Sequence, residues 1–96
     1  MTELDRVIHE PARLTIVALL AGVEQADFLW VLNESGLTKG NLSSHLAKLE
    51  GAGYVEIEKT YRGKTPLTLL TLTPQGQSAF KQYKKSLSGL LGSVRR

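Results

Sequence analysis

Residues 38–48 include several short side chains, some of which could form hydrogen bonds to another molecule. Gly40, Ser44 and Ala47 recur at helical spacing. They lie opposite Leu42, Leu46 and Leu49, which would face the interior of the protein. Short hydroxyl side chains donate or accept hydrogen bonds and let a helix approach its partner closely, as entry into the major groove of duplex DNA, about 12 Å wide, requires. The alternative is an ordinary helix face that is exposed to water.

Positive charge accompanies this run and increases along the chain. Residues 1–37 carry a net charge of −4, residues 38–66 one of +2 and residues 67–96 one of +5. An uneven distribution of this kind indicates an acidic partner such as nucleic acid, although a basic tail is often only solvated. Lys39 and the free N–H groups of the first helical turn could receive a phosphate.

The sequence offers little for catalysis or for metal binding. It contains no cysteine, so disulfides, thiolate zinc sites and thiol chemistry are excluded. The two histidines, His9 and His45, are too few for a metal site without carboxylate ligands, and we predict that His45 is packed or hydrogen-bonded. There is no nucleophile motif, no phosphate-binding loop and no pair of carboxylates whose spacing requires a shared site. We therefore predict no enzyme activity, no cofactor and no metal.

The periodicity of apolar residues predicts four helices and two strands, an α+β fold that is mostly α. Pro11 suits the first position of a helix, and Thr38 and Thr73 suit the position before one. After Gly53 the helical spacing gives way to the alternation of a strand hairpin. Two short helices joined by a turn and followed by a β-ribbon describe a winged helix-turn-helix. In the second helix, Phe28, Leu29 and Leu32 form an apolar stripe with Val31, which is typical of a buried helix face, and Gly36 follows as a stop signal. The predicted helices cover residues 11–21, 24–35, 38–52 and 74–96, and the predicted strands cover residues 54–60 and 67–73.

One domain accounts for all 96 residues. We divide it into an N-terminal segment (1–10), a winged-helix core (11–73) and a C-terminal helix (74–96). The apolar run 14–22 resembles part of a signal peptide, but the segment before it is not positively charged, so we predict a buried helix. No apolar stretch is long enough to span a membrane, and we expect a cytoplasmic protein.

Two stretches resemble those of small winged-helix transcriptional regulators, the compact relatives of the MarR and ArsR families. One is SGLTKGNLSSHLAKLEGAGYVEIEK, residues 35–59, and the other is L-T-P-x-G at residues 72–76. The resemblance covers residues 11–80 and implies a homodimer that binds duplex DNA and regulates transcription. The chain lacks the cysteines of the metal-sensing branch. It is also shorter than the larger MarR-like proteins, whose longer terminal helices shape an effector pocket, so a small-molecule effector is left open.

The resemblance and the helix pattern together predict a DNA-binding site on helix 38–52, which we expect to occupy a major groove. Its predicted contact residues are Thr38, Lys39, Gly40, Asn41, Ser43, Ser44 and Lys48. For Asn41, two roles are expected equally: a contact to phosphate and a cap on a neighbouring segment.

The tip of the predicted hairpin, residues 59–66, is called the wing below and is expected to lie on the DNA backbone or in the minor groove. Narrow A·T tracts attract guanidinium groups, and Arg62 stands beside the glycine of the tip. A hairpin that only faces water is the alternative, and the lysines of the last helix are expected to face water. The predicted contact residues of the wing are Lys59, Tyr61, Arg62, Lys64 and Thr65.

The last helix is predicted to hold two copies of the chain together. Apolar residues from position 80 onward are spaced by 3, 4, 3 and 4 residues, which is a heptad-like seam with no other obvious place for burial. The N-terminal segment is expected to assist. Two recognition helices in such a dimer would address half-sites about one helical turn apart, ~34 Å. The predicted interface residues are Leu4, Val7, Ile8, Phe80, Tyr83, Leu87, Leu90 and Val94.

The sequence therefore favours a homodimeric, sequence-preferring regulator that binds double-stranded DNA. Two alternatives stay open at this point. Winged helices also bind proteins, and a net charge of only +3 is compatible with a protein-interaction module. The second is a non-specific architectural DNA-binding protein, which would carry the same basic surface but would not prefer any DNA sequence.

Overall fold

The computed structural model describes the backbone of residues 4–94 and the side chains of residues 4–92. Within that part of the chain, four helices and three strands confirm the predicted α+β winged helix-turn-helix, which is mostly helical. The elements are α1 (Pro11–Ala21), β1 (Ala26–Asp27), α2 (Phe28–Ser35), α3 (Lys39–Gly51), β2 (Val55–Arg62), β3 (Thr65–Leu72) and α4 (Pro74–Val94). None of the helices in residues 4–94 combines the length and the apolar character that crossing a membrane requires.

One cluster of buried apolar side chains joins α1, α2, α3 and the sheet. Helix α3 contributes Leu42, Leu46 and Leu49, which are at most 2% exposed, as their spacing predicted. The other buried members are Ile16, Val17, Leu20, Ala26, Val31, Val55, Leu70 and Leu72. Because α3 inserts one complete face into this cluster, its opposite face is left for solvent or a partner.

Leu29 is an exception to the apolar stripe that was predicted for α2. Its side chain is 64% exposed, whereas Val31 is completely buried. Two residues correspond to about 200° around a helix, so these two side chains cannot both face the core. The prediction that Leu29 belongs to the buried stripe is therefore wrong.

The sheet has one strand more than the sequence predicted. The two residues of β1 pair antiparallel with β3, so that the strand order is β1-β3-β2. Ala26 and Asp27 had been included in the second helix. That helix instead begins at Phe28, because the Asp27 side chain accepts a hydrogen bond from the backbone N–H of Leu29 (3.0 Å) and caps the helix.

The hairpin of β2 and β3 is longer than predicted, and its turn is shorter. The antiparallel register runs from Val55 opposite Leu72 to Arg62 opposite Thr65. Only two residues remain for the turn, and the first is Gly63 with a φ of 64°. Glycine favours this left-handed region, and two-residue turns of this kind continue the twist of both strands. The wing is consequently an extension of the sheet and not a separate loop.

Short-range hydrogen bonds form both ends of α3, and the sequence predicted the cap by Thr38. The hydroxyl of Thr38 accepts a hydrogen bond from the backbone N–H of Asn41 (3.1 Å), which caps the N-terminus. At the other end, Gly53 has a φ of 82°, and its N–H donates to the carbonyl of Glu50 (2.9 Å). Both caps orient α3 relative to the strand that follows.

The L-T-P-x-G stretch forms the junction between the sheet and α4. The Thr73 hydroxyl donates to the carbonyl of Gly53 (2.6 Å) and accepts from the N–H of Gly76 (2.9 Å), which caps α4 as predicted. Gly76 lies directly against the backbone carbonyl of Tyr54, where a Cβ atom would overlap the carbonyl oxygen. The glycine is therefore required by close packing between α4 and the segment that joins α3 to β2.

Residues 4–9 of the N-terminal segment pack onto their own chain. Ile8 is completely buried and Tyr83 of α4 is 3% exposed, with the Tyr83 hydroxyl 2.9 Å from Nδ1 of His9. Val7 and Phe80 also pack against the core cluster. Ile8 and Tyr83 are thus core residues of one protomer and not the interface residues that were predicted, because residues 4–9 already cover that part of α4.

Candidate nucleic-acid interface

The outward face of α3 consists of short or flexible polar side chains that are exposed. Every residue of the predicted recognition surface is exposed, and none of them contributes to the core cluster. Gly40 has no atom near the position of a Cβ, so the helix surface is open at this point. The exposed residues of this face are Lys39, Gly40, Asn41, Ser43, Ser44, Ala47 and Lys48, with the capping residue Thr38 at its start.

Two side chains contact His45 of α3: Arg13 of α1 and Glu10, the residue before α1. The Arg13 guanidinium lies 3.2 Å from Nδ1 of His45, and the Glu10 carboxylate lies 3.3 Å from its Nε2. A guanidinium only donates, so Nδ1 accepts the hydrogen bond and Nε2 carries the proton that faces Glu10. The prediction of a hydrogen-bonded His45 is confirmed.

Glu10 has two roles at this point of the structure. Its carboxylate accepts hydrogen bonds from the backbone N–H groups of Ala12 and Arg13 and thereby caps α1. Burial raises the pKa of Glu10, but these two hydrogen bonds and the electrostatic attraction of the neighbouring His45 and Arg13 side chains outweigh it, and the pKa lies below its ordinary value. The ionised carboxylate therefore stabilises the fold above that ordinary value, and this contribution is lost as the pH falls through the lowered pKa.

A second contact holds Tyr54, which follows the C-terminal end of α3. The Tyr54 hydroxyl donates a hydrogen bond to the carboxylate of Asp5, which also accepts from the backbone N–H groups of Val7 (2.9 Å) and Ile8 (3.2 Å). The hydrogen bond to Asp5, together with burial and the negative charge of Asp5, raises the pKa of Tyr54 to about 12. A tyrosine with a raised pKa stabilises the fold below its ordinary pKa, and this contribution is lost as the pH rises through the raised value.

Replacing Tyr54 by phenylalanine is expected to lower the free energy of unfolding at pH 7 by about 1.5 kcal/mol, because a hydrogen bond to a carboxylate is lost. The part of the stability that wild-type protein loses between pH 10 and about pH 12 should also disappear. Urea unfolding followed by circular dichroism at pH 7 and pH 11 measures both effects. Tyr61→Phe is the matched control, since Tyr61 is 69% exposed. An unchanged pH dependence in Tyr54→Phe would contradict the assigned hydrogen bond.

The wing presents its predicted contact residues to solvent. Lys59, Tyr61, Arg62, Lys64 and Thr65 are all exposed, and Tyr61 is 69% exposed. Lys59 and Arg62 lie on β2 and Thr65 begins β3, so the sheet, and not a loop, positions them. Cations on a two-stranded ribbon beside a recognition helix can follow a phosphate backbone.

The cations of α3 and of the wing are available to an external anion. Among the side chains of residues 4–92, the contacts within 4.0 Å between a carboxylate and a basic side chain are those of Glu10 with Arg13 and with the His45 ring. Lys39, Lys59 and Arg62 therefore have no carboxylate partner within that part of the chain. An anion that binds them does not have to displace an internal ion pair.

A cleft of about 670 Å³ separates α3 from the wing and was not predicted from the sequence. It brings together Lys39 and Ser43 of α3 with Lys59, Arg62 and Thr65 of the wing. The other predicted contact residues, which are exposed outside the cleft, are Thr38, Gly40, Asn41, Ser44, Lys48, Tyr61 and Lys64. Leu29 was the residue that could have indicated the cleft from the sequence, because it is apolar, exposed and part of the cleft lining. Apolar periodicity had instead assigned its side chain to the core.

Helix α4 presents its lysines to solvent and leaves an apolar end uncovered. Lys81, Lys84 and Lys85 are exposed as expected, and the ammonium of Lys84 lies 4.6 Å from the centre of the Phe80 ring. Leu87 is half-buried, and Leu90 is 48% exposed. Leu4 is also half-buried, whereas the side chain of Val94, a predicted interface residue, lies outside the described residues.

Comparisons with known proteins agree with this architecture. A family model described as a winged helix DNA-binding domain matches residues 12–91. An uncharacterized protein of Methanocaldococcus jannaschii, MJ0432, is 37% identical over 78 residues, which cover 81% of this chain and 85% of that protein.

Solved structures of transcriptional regulators share the fold and confirm the resemblance that the sequence motifs indicated. A transcriptional regulator homologue from Pyrococcus horikoshii OT3 superimposes with a TM-score of 0.88 and 29% identity over 94% of this chain and 89% of that chain. A PadR family transcriptional regulator from Eggerthella lenta DSM 2243 has a TM-score of 0.68 and 19% identity, covering 86% and 80%, and shares the fold. The chain is a member of the winged helix DNA-binding domain family.

Proposed function

We propose that this protein is a homodimeric transcriptional regulator that prefers a specific operator sequence. Membership of the winged helix family makes it a non-enzymatic DNA-binding regulator, and the proposal concerns its mode of binding. The observation that supports it best is the outward face of α3, which is exposed and small, and which lies beside cations that have no carboxylate within 4.0 Å among the side chains of residues 4–92.

In this proposal α3 lies in a major groove with Ser43, Ser44 and Lys48 near the base edges. Hydroxyl and ammonium groups can read the donor and acceptor pattern of base pairs there. Lys39, Asn41 and the first-turn N–H groups beside Thr38 contact phosphate, and Gly40 permits close approach. The wing residues Lys59, Tyr61, Arg62, Lys64 and Thr65 follow the neighbouring backbone or minor groove.

The proposed dimer interface is the apolar end of α4. The helix has 21 residues and is therefore about 31 Å long. Leu90 and Leu91 are 48% and 53% exposed near its end, and Leu87 precedes them on the helix. Two neighbouring leucines with half of their surface in water are a site that a second copy can cover.

Replacing Leu90 by lysine is expected to weaken dimerisation by roughly 100-fold, because a charged group would have to lose its water at an apolar contact. Sedimentation velocity over a dilution series measures the dissociation constant. Ser88→Lys is the matched control, since Ser88 is an exposed neighbour on the same helix. If Leu90→Lys sediments as a dimer at the same concentrations as wild type, the interface lies elsewhere.

The experiment that tests the function is selection of bound duplexes from a random pool, followed by titration against salt. We expect enrichment of a palindrome with half-site centres about 10 base pairs apart, and a steep fall in affinity with salt concentration. A salt dependence without any enriched sequence would identify an architectural protein instead. The absence of binding to any duplex at low salt would overturn the proposal in favour of a protein-interaction module.

A further inference from the structure

Helix α2 exposes the single tryptophan of the chain. Trp30 is 40% exposed, whereas Val31 beside it is completely buried. Asn33 and Glu34 are exposed on the same side of α2, because positions three and four residues apart are neighbours on a helix surface. We call these three residues the α2 face, and none of them belongs to the core cluster or lines the cleft between α3 and the wing. A partly exposed tryptophan is a typical anchor of protein–protein contacts.

The α2 face carries negative charge. Glu34 accepts a hydrogen bond from the Asn33 amide (3.4 Å), and among the side chains of residues 4–92 it has no basic side chain within 4.0 Å. Residues 14–38 contain three carboxylates and no lysine or arginine. A surface of this charge repels phosphate, so binding of DNA does not account for the exposure of Trp30.

A groove of opposite charge lies between α4, the end of α1 and the end of β3. Its volume is about 800 Å³, and Ala21, Leu72 and Phe80 form its apolar part. Lys81 and Lys84 also line it and are both exposed, and the Lys84 ammonium lies 4.6 Å from the centre of the Phe80 ring. Within the described side chains, no aspartate or glutamate lines this α4 groove or lies within 4.0 Å of either lysine.

The α2 face and the α4 groove are complementary in polarity and in charge. The apolar part of the groove is suited to an indole ring, which Lys84 can face as it already faces Phe80. Glu34 follows Trp30 by one helical turn, so its carboxylate would lie beside the ring, where the lysines of the groove can pair with it. Trp30 does not line the groove of its own chain, so a single copy does not fill its own groove.

We propose that the α2 face of one copy docks into the α4 groove of a second copy, with Trp30 in the groove and Glu34 paired with its lysines. The two surfaces differ, so each copy offers one half of the contact to each of two neighbours, as in a head-to-tail assembly. Leu90 and Leu91 take no part, so the contact is separate from the proposed dimer interface and would join one dimer to the next. The joining of dimers rests on the proposed function, whereas the contact itself does not.

The tryptophan itself reports the contact. One aromatic anchor with a few ion pairs is a small contact, and we expect a dissociation constant of roughly 100 µM at low salt. The indole N–H of Trp30 gives one signal in the ¹H–¹⁵N spectrum of labelled protein, since the sequence has no other tryptophan. This signal should shift as the protein concentration rises from about 20 µM to about 1 mM, and added salt should reverse the shift. A signal that does not depend on concentration at low salt would overturn the proposal.

Two charge reversals separate the halves of the contact. Lys84→Glu alters the groove and Glu34→Lys alters the α2 face, and both side chains are exposed, so the fold tolerates the changes. Labelled Lys84→Glu should show the Trp30 shift on titration with unlabelled Glu34→Lys, which supplies an intact groove. Titration with unlabelled Lys84→Glu should require at least roughly tenfold more protein, because like charges then meet. Equal shifts with both titrants, or a shift with neither, would refute the contact.

Two further variants test where the contact lies. Lys85→Glu is the matched control, since Lys85 is exposed beside Lys84 on α4 but does not line the groove. It should keep the concentration-dependent shift that Lys84→Glu loses, and an equal loss in both variants would mean that the charge of α4, and not the groove, determines association.

Leu90→Lys should also keep the shift, because Leu90 lies outside the proposed contact. Loss of the shift in Leu90→Lys would place Trp30 in the dimer interface and overturn the proposal. These titrations contain no DNA. If no duplex binds the protein, the proposed function fails, and the titrations still decide whether the contact exists.

Discussion

Replacing Ser44 by glutamate is expected to weaken binding to the selected duplex by at least about 100-fold. Ser44 is exposed in the middle of the outward face of α3. A carboxylate there would meet phosphates and base-edge acceptors at close range and would lose its water without gaining a donor. Fluorescence anisotropy with a labelled duplex at fixed salt measures the change, since the affinity depends strongly on salt.

Stability should not change in this variant, because the side chain is exposed and glutamate is a better helix former than serine. Urea unfolding checks this point and excludes a trivial loss of structure. Ser78→Glu is the matched control, because Ser78 is an exposed serine in the second turn of α4. Full affinity in Ser44→Glu would remove α3 from the DNA interface and with it the proposed mode of binding.

Replacing Gly76 by alanine is expected to reduce the free energy of unfolding by about 3 kcal/mol. A Cβ at this position overlaps the backbone carbonyl oxygen of Tyr54 and the side chain of Leu72. A backbone carbonyl cannot rotate out of the way as a side chain does, so α4 must shift from the sheet. The Thr73 hydrogen bonds to Gly53 and Gly76 would be strained by that shift. Urea unfolding followed by circular dichroism measures the loss.

The control for this substitution lies in the same helix. Gly89 has no atom within 4 Å of the position of a Cβ, and its φ is not positive. Gly89→Ala should therefore raise stability by up to about 1 kcal/mol, as expected for alanine in an open helix position. Similar effects of both substitutions would mean that helix propensity, and not packing against Tyr54, determines the result.

The parts of the fold that were predicted correctly depend on short-range signals. Thr38 and Thr73 cap the helices that they precede, and Leu42, Leu46 and Leu49 lie on one buried face, because each signal is contained within a few residues. The hairpin was located for the same reason, although its strands extend further toward Gly63 than alternation of apolar residues indicated.

The parts that were missed depend on contacts between distant residues. Strand β1 exists only because Ala26 and Asp27 pair with β3, and two residues are too few to show a period. Apolar spacing predicted a seam along α4, but periodicity does not tell which surface covers each of its residues. Tyr83 is covered by the N-terminal segment of its own chain, whereas Leu90 is left exposed. The cleft likewise depends on the spacing between α3 and the wing, which no local pattern encodes.

The hydrogen bonds of the N-terminal segment have a consequence for the order of folding. Asp5 meets Tyr54 across 49 residues, and His9 meets Tyr83 across 74. Contacts that close such long loops form late, because the entropy of loop closure must be overcome first. We therefore expect residues 5–9, which are synthesised before their partners, to dock in a late step, after α3 and α4 have packed against the sheet.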